Sequence, residues 1–312
     1  MYIEQGYKGE IGLWKYLFLP IGFIGFMIYN YVLTINSDID VEDAMQQIID
    51  QFGSNLVLII LLAPLVAGFF VVLGWTWLIH RQSITSLTTS RKKVDWKRIL
   101  FAFGLWGGIT ILMTGADIYL SPEDYQLNFD LAKFIPLAII AILLIPLQTS
   151  FEEYLFRAHM MQGLGIWTRT KWIPLVVTST LFGLMHIANP EVEKLGHGIL
   201  VYYIGTGFFL GILTLMDEGL ELALGFHAAN NLIGALLLTA DWTAFQTNSI
   251  YKDVSEPTLG FDVLIPVLVV YPILLLIFSK KYGWKNWKGK LFGRVMTKEE
   301  FLTENDGESL VA

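Results

Sequence analysis

The sequence contains no cysteine and few charged residues for its length. Without cysteine, the chain has no disulfide bonds, no thiol nucleophile and no cysteine metal site. Only 16% of its 312 residues are charged, 54% are hydrophobic, and the mean hydropathy is +0.55. These values differ strongly from those of a soluble domain and indicate a membrane protein with several spanning segments.

We find no basic patch and no internal repeat in the sequence, and we expect no cleavable leader. Its formal net charge is -7, and its lysines and arginines stand in short segments between apolar runs, so we expect no nucleic-acid partner. The first long apolar run has no small-residue cleavage site behind it, so we expect it to remain as a span. The absence of a repeat weakens an interpretation as an inverted-repeat transporter.

Eight apolar segments are long enough for membrane helices, because a bilayer core about 30 Å thick needs roughly 20 helical residues. Their apolar runs are continuous, whereas the strands of a membrane barrel alternate apolar and polar residues. We therefore predict an all-α fold, a polytopic bundle of about eight transmembrane helices in one domain over residues 1–280. A basic and then acidic cytoplasmic tail follows at 281–312, and we expect its end to be disordered. The predicted spans are 12–35, 55–80, 97–115, 134–163, 172–188, 197–216, 220–240 and 261–280.

The connecting segments alternate in charge. The segment RQSITSLTTSRKKVDWKR after the second span carries six basic residues, and KKYGWKNWKGK after the eighth is also basic. By contrast, SDIDVEDAMQQIID after the first span has acids and no base. The positive-inside rule then predicts an integral protein of the cell membrane with both termini in the cytoplasm.

Ionisable side chains within the predicted spans are candidates for function, since each costs about 2.5–3.5 kcal/mol at membrane depth on insertion scales. We estimated depths from the predicted cytoplasmic turns, taking about 1.5 Å of rise per helical residue. Glu152, His186, His227 and Asn231 come out at depths between about 12 and 22 Å. Three separate helices thus place polar residues in one layer, as a shared site requires.

Helical geometry separates the roles within each helix. Glu153 and Arg157 lie four residues apart, so they share a face and we expect them to pair, as a structural support. Glu152 points about 100° away and is available to the histidines of other helices. His227 and Asn231 also share a face, whereas Asn230 lies off that face and is assigned to packing.

This set of groups suits water-dependent acyl chemistry. Glu152 can act as a general base, a histidine can orient or share the proton, and His227 with Asn231 can donate hydrogen bonds to an oxyanion. In the alternative, Glu152, His186 and His227 hold a zinc ion that activates the water. The sequence leaves direct and metal-assisted activation open, so zinc is a conditional cofactor.

Three motifs in this layer resemble those of a known family. FEEYLFR at 151–157, FGLMH at 182–186 and HAANN at 227–231 resemble the EExxxR, FxxxH and HxxxN motifs of the CAAX prenyl endopeptidase and bacteriocin-processing (CPBP) family of intramembrane proteases. The resemblance covers about 134–240. One departure is Ala158, where the family commonly has glycine, and it affects packing more than chemistry.

The resemblance implies a catalytic set and a substrate class. Glu152 would activate water with His186 as its partner, and His227 and Asn231 would lie on the oxyanion side. The leading hypothesis is an intramembrane endopeptidase, glutamate or metallo type, with a cytoplasm-facing cavity. Its partners would be the lipid bilayer and a membrane-associated protein or peptide, including CAAX-type prenylated ones.

Two alternatives from other classes remain. The same polar layer could line the path of a transporter or channel. A non-enzymatic membrane protein of the bacteriocin-immunity type would keep the cavity without using it. Taken singly, each motif also fits a structural role, as an ion pair, a helix cap or a hydrogen bond between helices. The joint occurrence of the three motifs favours the protease.

Overall fold

The computed structural model describes residues 1–36, 41–260 and 263–309. Helices dominate because apolar runs such as LVLIILLAPLVAGFFVVL can satisfy their backbone polar groups within one segment only as helices. The α-helices in chain order are α1 (Leu13–Ile35), α2 (Val41–Phe52), α3 (Ser54–Leu78), α4 (Ile84–Thr88), α5 (Trp96–Leu120), α6 (Leu131–Glu153), α7 (Met161–Thr168), α8 (Trp172–Leu184), α9 (Pro190–Leu195), α10 (Leu200–Asp217), α11 (Glu221–Leu237), α12 (Tyr271–Tyr282), α13 (Trp287–Phe292) and α14 (Lys298–Ser309).

Several of these helices are extended by segments with tighter or wider winding. A π-helical segment, Tyr154–Met160, joins α6 to α7 into one continuous helix, and a second, Pro266–Val270, leads into α12. The 3-10 segments are Ile3–Lys8, Pro122–Asp124, Met185–Ala188 and His197–Ile199.

Three short strands form a small sheet that the sequence did not predict. They are β1 (Tyr125–Leu127), β2 (Leu238–Thr239) and β3 (Tyr251–Asp253), in the order β1-β3-β2. Strand β1 pairs antiparallel with β3, and β2 pairs parallel with it. The sheet joins the loops after α5 and α11 at one end of the bundle.

The predicted helical bundle is confirmed, whereas the count of eight spans is not. Five helical stretches of the described residues are long and apolar enough to cross a membrane, and Trp172–Ala188 is a shorter apolar helix. All eight predicted spans overlap helices, but the seventh ends in strand β2, and α11 has 17 residues and α12 has 12. Residues 261–262 of the eighth predicted span lie outside the described residues. The five long stretches are Leu13–Ile35, Ser54–Leu78, Trp96–Leu120, Leu131–Thr168 and His197–Asp217.

The N-terminal segment and the C-terminal helix α14 meet at one end of the bundle, here called the proximal end. The Tyr7 hydroxyl donates to the Met296 carbonyl at 2.8 Å, and the Tyr7 ring lies 6.1 Å from that of Phe301, which is 2% exposed. Residues 298–309 are helical, so the expectation of a disordered end is wrong for residues 301–309, and residues 310–312 lie outside the described residues. The buried ring of Phe301 anchors this mostly polar segment. A domain boundary near residue 280 stays a prediction.

Basic residues concentrate at the proximal end. Of the 21 lysines and arginines, Lys133, Lys194 and Lys252 lie at the opposite, distal end, and Arg157 is buried between the two. The remaining 17 lie in the proximal loops, in the chain ends, or in the helical turns next to them. The distal end contains the small sheet, α2 and α9.

Helix α11 lies at the centre of the bundle, where it packs against α5 and α6, while α10 packs against α8. Aromatic side chains fill the space between α5, α10, α11 and α12. The Trp106 and Phe226 rings are 4.6 Å apart, and the Phe209 and Tyr271 rings are 4.5 Å apart. Such pairs add about 0.5–1.5 kcal/mol each beyond the burial of their area. The packing fixes the rotation of α11, one of the three helices that hold the motifs.

Candidate active site

A cavity of about 790 Å³ lies among α1, α3, α6, α8, α10 and α11. Glu152, His186, His227 and Asn231 all line it, so the structure brings together the four residues that the sequence singled out as catalytic candidates. Glu152 and His227 are each 6% exposed. Their roles in a reaction stay predictions.

Glu152 has one carboxylate oxygen engaged and one free. Gln148 Nε2 donates to Glu152 Oε1 at 2.5 Å. Oε2 has no hydrogen-bond partner within the described residues, and it lies 3.7 Å from His227 Nε2. That distance is too long for a direct hydrogen bond, so Oε2 keeps its capacity to accept a hydrogen bond from another group.

Glu153 orients His227 through the ring nitrogen that faces away from Glu152. His227 Nδ1 donates to Glu153 Oε1 at 2.8 Å, and because a carboxylate only accepts, Nδ1 must carry a proton. This hydrogen bond turns Nε2 toward Glu152. The sequence had assigned Glu153 to Arg157 alone, so that assignment was incomplete: the geometry within one helix cannot reveal a partner on α11.

Arg157 is fully buried and makes the predicted pair with Glu153. Its Nη1 donates to Glu153 Oε1 at 3.2 Å, and Nη2 donates to the Gly207 carbonyl at 3.3 Å. The guanidinium lies 4.0 Å from the centre of the Phe182 ring, a cation–π contact. The π-helical segment that begins at Tyr154 contains Arg157, and such segments often occur at functional sites. Arg157 therefore ties α6 to α8 and α10 next to the catalytic candidates.

A chain of side-chain hydrogen bonds leads from α5 through α11 to Glu152. Trp106 Nε1 donates to Asn230 Oδ1 at 3.1 Å, and Asn230 Nδ2 donates to Asn231 Oδ1 at 3.1 Å. Asn231 Nδ2 then donates to Gln148 Oε1 at 3.3 Å, and Gln148 donates to Glu152. We call this chain the amide relay. It sets the orientation of every amide in it, because each oxygen accepts and each nitrogen donates.

The sequence analysis missed Gln148 and gave Asn230 to packing. A signal for Gln148 was present: it is an amide inside the apolar run LLIPLQTSFEE, one helical turn before Glu152. His227 and Asn231 share a face as predicted and both line the cavity, but Asn231 bonds to Gln148 rather than to the histidine. Asn230 contributes a link in the amide relay.

His186 lines the same cavity without a hydrogen bond to Glu152 in the described structure. Its Nδ1 donates to the Phe182 carbonyl at 2.9 Å, and its ring stacks on Tyr203 with the centroids 4.1 Å apart. These two contacts fix the imidazole and leave Nε2 available. His227, rather than His186, is the imidazole next to Glu152, so the predicted partnership of Glu152 with His186 stays a prediction.

The zinc alternative finds no support in the arrangement of side chains. Among the described residues, no group of three or more histidine, aspartate or glutamate side chains is placed to hold a metal ion. Glu152, His186 and His227 line one cavity, but they are not gathered around a common point, and the residues present do not fit a zinc ion.

The cavity extends from the polar layer toward the distal end. Its lining includes α2 and the segments 188–191 and 238–245, which all belong to that end. None of the lining residues comes from the proximal loops. A cavity that faces the cytoplasm is therefore incompatible with cytoplasmic termini, and the two expectations from the sequence exclude each other. The depth estimate from helical rise located the layer of polar residues. It gave no information about which side of the membrane the cavity opens to.

The fold and the site define an integral membrane protein with a buried carboxylate, imidazole and amide site at the end of a deep cavity. Residues 131–233 match the model of the type II CAAX prenyl endopeptidase Rce1-like family, so the chain carries an Rce1-like domain that contains all three motifs. The family's name describes a CAAX prenyl endopeptidase, and the matched segment is what this chain shares with it.

A further comparison extends over most of the chain. The chain is 28% identical over 262 residues to a protein of Bacillus subtilis (strain 168) named "Uncharacterized protein YyaK", and the match covers 78% of this chain and 82% of that protein. No solved structure matches the chain. The matched length includes residues outside the Rce1-like domain.

Proposed function

We propose that the protein is an intramembrane endopeptidase in which Glu152 activates water for the hydrolysis of a peptide bond. The observation that carries the proposal is the free Oε2 of Glu152, 3.7 Å from His227 Nε2 inside a cavity large enough for a peptide segment. The family of the Rce1-like domain supports the reaction class.

The reaction begins with a water molecule that donates a hydrogen bond to Glu152 Oε2 on the cavity side of His227. Glu152 Oε2 takes a proton from the water as the oxygen attacks the peptide carbonyl carbon. A C–O bond forms, and the carbonyl oxygen becomes an oxyanion. When the tetrahedral intermediate collapses, the C–N bond breaks and Glu152 returns the proton to the leaving amine.

Donors around the cavity stabilise the oxyanion. His227 Nε2 faces Glu152 and the reacting group, and it donates to the oxyanion when the ring carries a proton on both nitrogens. Asn231 Nδ2 donates only one of its two hydrogens to Gln148, so it can offer the other. His186 Nε2 orients the water or accepts a proton. No step requires a metal ion.

The protein lies in the cell membrane with both termini in the cytoplasm. The 17 basic residues of the proximal end support this orientation by the positive-inside rule. The cavity then opens on the opposite side of the membrane. The substrate is a membrane-associated protein or peptide that reaches Glu152 from the distal end, and the lipid bilayer forms the other contact surface.

The test is cleavage by the purified full-length chain in lipid nanodiscs. A panel of membrane peptides, including a prenylated CAAX peptide, is incubated with the wild type, with Glu152→Gln and with Glu256→Gln as a matched control from an exposed loop. Mass spectrometry should identify a cut peptide bond with the wild type and with the control, but not with Glu152→Gln. Glu152-dependent solute flux in proteoliposomes without peptide cleavage would assign the site to a transporter instead.

A further inference from the structure

The cavity that contains Glu152 has an anionic lining. Three carboxylates line it, those of Glu152, Glu191 and Asp253, and no lysine or arginine does among the described residues. Glu152 belongs to the candidate active site in the middle of the bundle. Glu191 and Asp253 belong to the distal end, where a substrate enters.

Glu191 holds a loop with one carboxylate oxygen and leaves the other without a partner. The Ala244 N–H donates to Glu191 Oε1 at 2.9 Å, which fastens the loop after β2 to helix α9. Oε2 is buried and accepts no hydrogen bond within the described residues. Burial raises the pKa of Glu191 above its ordinary value, while the Ala244 N–H and the Asn189 side chain lower it.

The cations of the distal end are engaged elsewhere or lie outside the cavity. Lys194, on the same short helix as Glu191, donates to Glu42 at 3.2 Å. Lys252 pairs with Asp241 at 2.7 Å. A buried carboxylate oxygen without a hydrogen-bond partner is energetically costly. A cation that entered the cavity could supply the partner that Glu191 Oε2 lacks.

A purely structural role explains only half of this geometry. Fastening the loop needs one acceptor oxygen, which the amide of glutamine would supply as well as a carboxylate does. Trp242, two residues before Ala244, also lines the cavity, and its Nε1 is buried without a partner. The face of an indole ring attracts a cation, so Trp242 adds a second group in this cavity that suits one.

The distance to the candidate active site limits where that cation lies in the substrate. Five residues separate His186 from Glu191, so their Cα atoms are at most about 18 Å apart. An extended peptide covers the same distance with about five residues. Tyr203, whose ring stacks on His186, lines the same cavity.

We propose that Glu191 binds a lysine or arginine side chain of the substrate, at a position within about five residues of the scissile bond. This inference rests on the proposed peptidase function and adds the substrate class, which is a membrane peptide with a basic residue near its cleavage site. Glu191 is then a specificity-determining residue at the distal end of the cavity.

The test compares matched peptides, all acetylated at the N-terminus so that no α-ammonium competes. Each carries lysine or the neutral norleucine at one of the five positions on either side of the bond that the wild type cleaves. With the wild type, we expect the best lysine peptide to exceed its norleucine partner about 30-fold or more in kcat/KM. In Glu191→Gln, which keeps the acceptor for Ala244, this ratio should fall close to one, whereas Glu256→Gln should retain it.

A binding measurement separates the subsite from the peptidase function. In the Glu152→Gln background, the affinity for the lysine peptide should exceed that for the norleucine peptide, and adding Glu191→Gln should abolish the difference. Equal affinities for the two peptides before that addition would overturn the subsite. Equal cleavage by the wild type and Glu152→Gln would instead overturn the proposed function. Size-exclusion profiles check that each variant is folded. In a further variant, Glu191→Lys, a preference for a peptide with glutamate in place of lysine would support the charge pairing.

Discussion

His227 Nδ1 donates a hydrogen bond to Glu153 Oε1 at 2.8 Å, while its other nitrogen lies 3.7 Å from Glu152 Oε2. One imidazole thus contacts both members of an adjacent glutamate pair. Glu153 also accepts from Arg157, and both of its donors reach Oε1, so each glutamate has a second oxygen without a partner among the described residues. Glu152 lines the cavity, whereas Glu153 is fully buried behind it. The difference in surroundings is the basis for assigning water activation to Glu152.

Removing the amide of Gln148 should slow the reaction without removing a reacting group. Gln148→Leu leaves Glu152 Oε1 without its donor and Asn231 without its acceptor, and an unsatisfied buried group of this kind costs about 1–3 kcal/mol. We expect kcat for a cleaved membrane peptide to fall about 5-fold to 150-fold. Gln126→Leu, in the exposed strand β1, is the control. Wild-type kcat in Gln148→Leu would show that the amide relay does not position Glu152.

Arg157→Met should destabilise the bundle strongly. The substitution leaves the Glu153 carboxylate buried without its guanidinium, and breaking one side of a buried pair costs about 3–5 kcal/mol. We expect a large fall in the unfolding midpoint in detergent. The double variant Glu153→Gln/Arg157→Met removes the orphaned charge, so it should recover part of that loss. A double variant less stable than Arg157→Met would contradict a buried ion pair.

His80 should make the stability depend on pH. It is 1% exposed, its Nδ1 donates to the Glu10 carbonyl at 3.1 Å, and burial lowers its pKa below the ordinary 6.5. Below about pH 6.5, His80 therefore binds a proton more readily in the unfolded chain than in the folded chain. The contribution of His80 to stability is lost as the pH falls below that value. Unfolding midpoints measured from pH 7.5 to 5.5 should decrease less in His80→Gln than in the wild type. An identical decrease in both proteins would show that His80 does not contribute to the pH dependence of stability.

The absence of cysteine allows a direct test of orientation with single-cysteine variants. Lys285 is exposed at the proximal end and Glu256 is exposed at the distal end. In intact cells, a membrane-impermeant maleimide should label Glu256→Cys, and it should label Lys285→Cys only after permeabilisation. The reverse pattern would place the mouth of the cavity in the cytoplasm.

Much of the fold could be predicted from the sequence because a bilayer imposes simple rules on length and hydropathy. The eight predicted spans overlap helices, and the depth estimate correctly grouped Glu152, His186, His227 and Asn231 around one cavity. Both results depend on helical rise, a local property. The number of membrane crossings stays a prediction, because α11 and α12 are short.

Contacts between helices could not be predicted, since they depend on how each helix is rotated in the bundle. The bond from His227 to Glu153 and the link from Asn231 to Gln148 both join α6 to α11. The sheet was missed for a related reason: its strands have two or three residues, and β1 lies more than a hundred residues before its partner β3. The direction in which the cavity opens likewise follows from packing alone.

The central claim is that Glu152, and not its neighbour Glu153, activates the water. The most direct measurement is kcat/KM of Glu152→Gln beside Glu153→Gln, both purified in nanodiscs with a peptide that the wild type cleaves. A general base contributes about 100-fold to 10,000-fold, so we predict a loss of at least that size in Glu152→Gln with an unchanged unfolding midpoint. Glu153→Gln should retain more activity and lose stability. Substantial cleavage by folded Glu152→Gln would contradict the account.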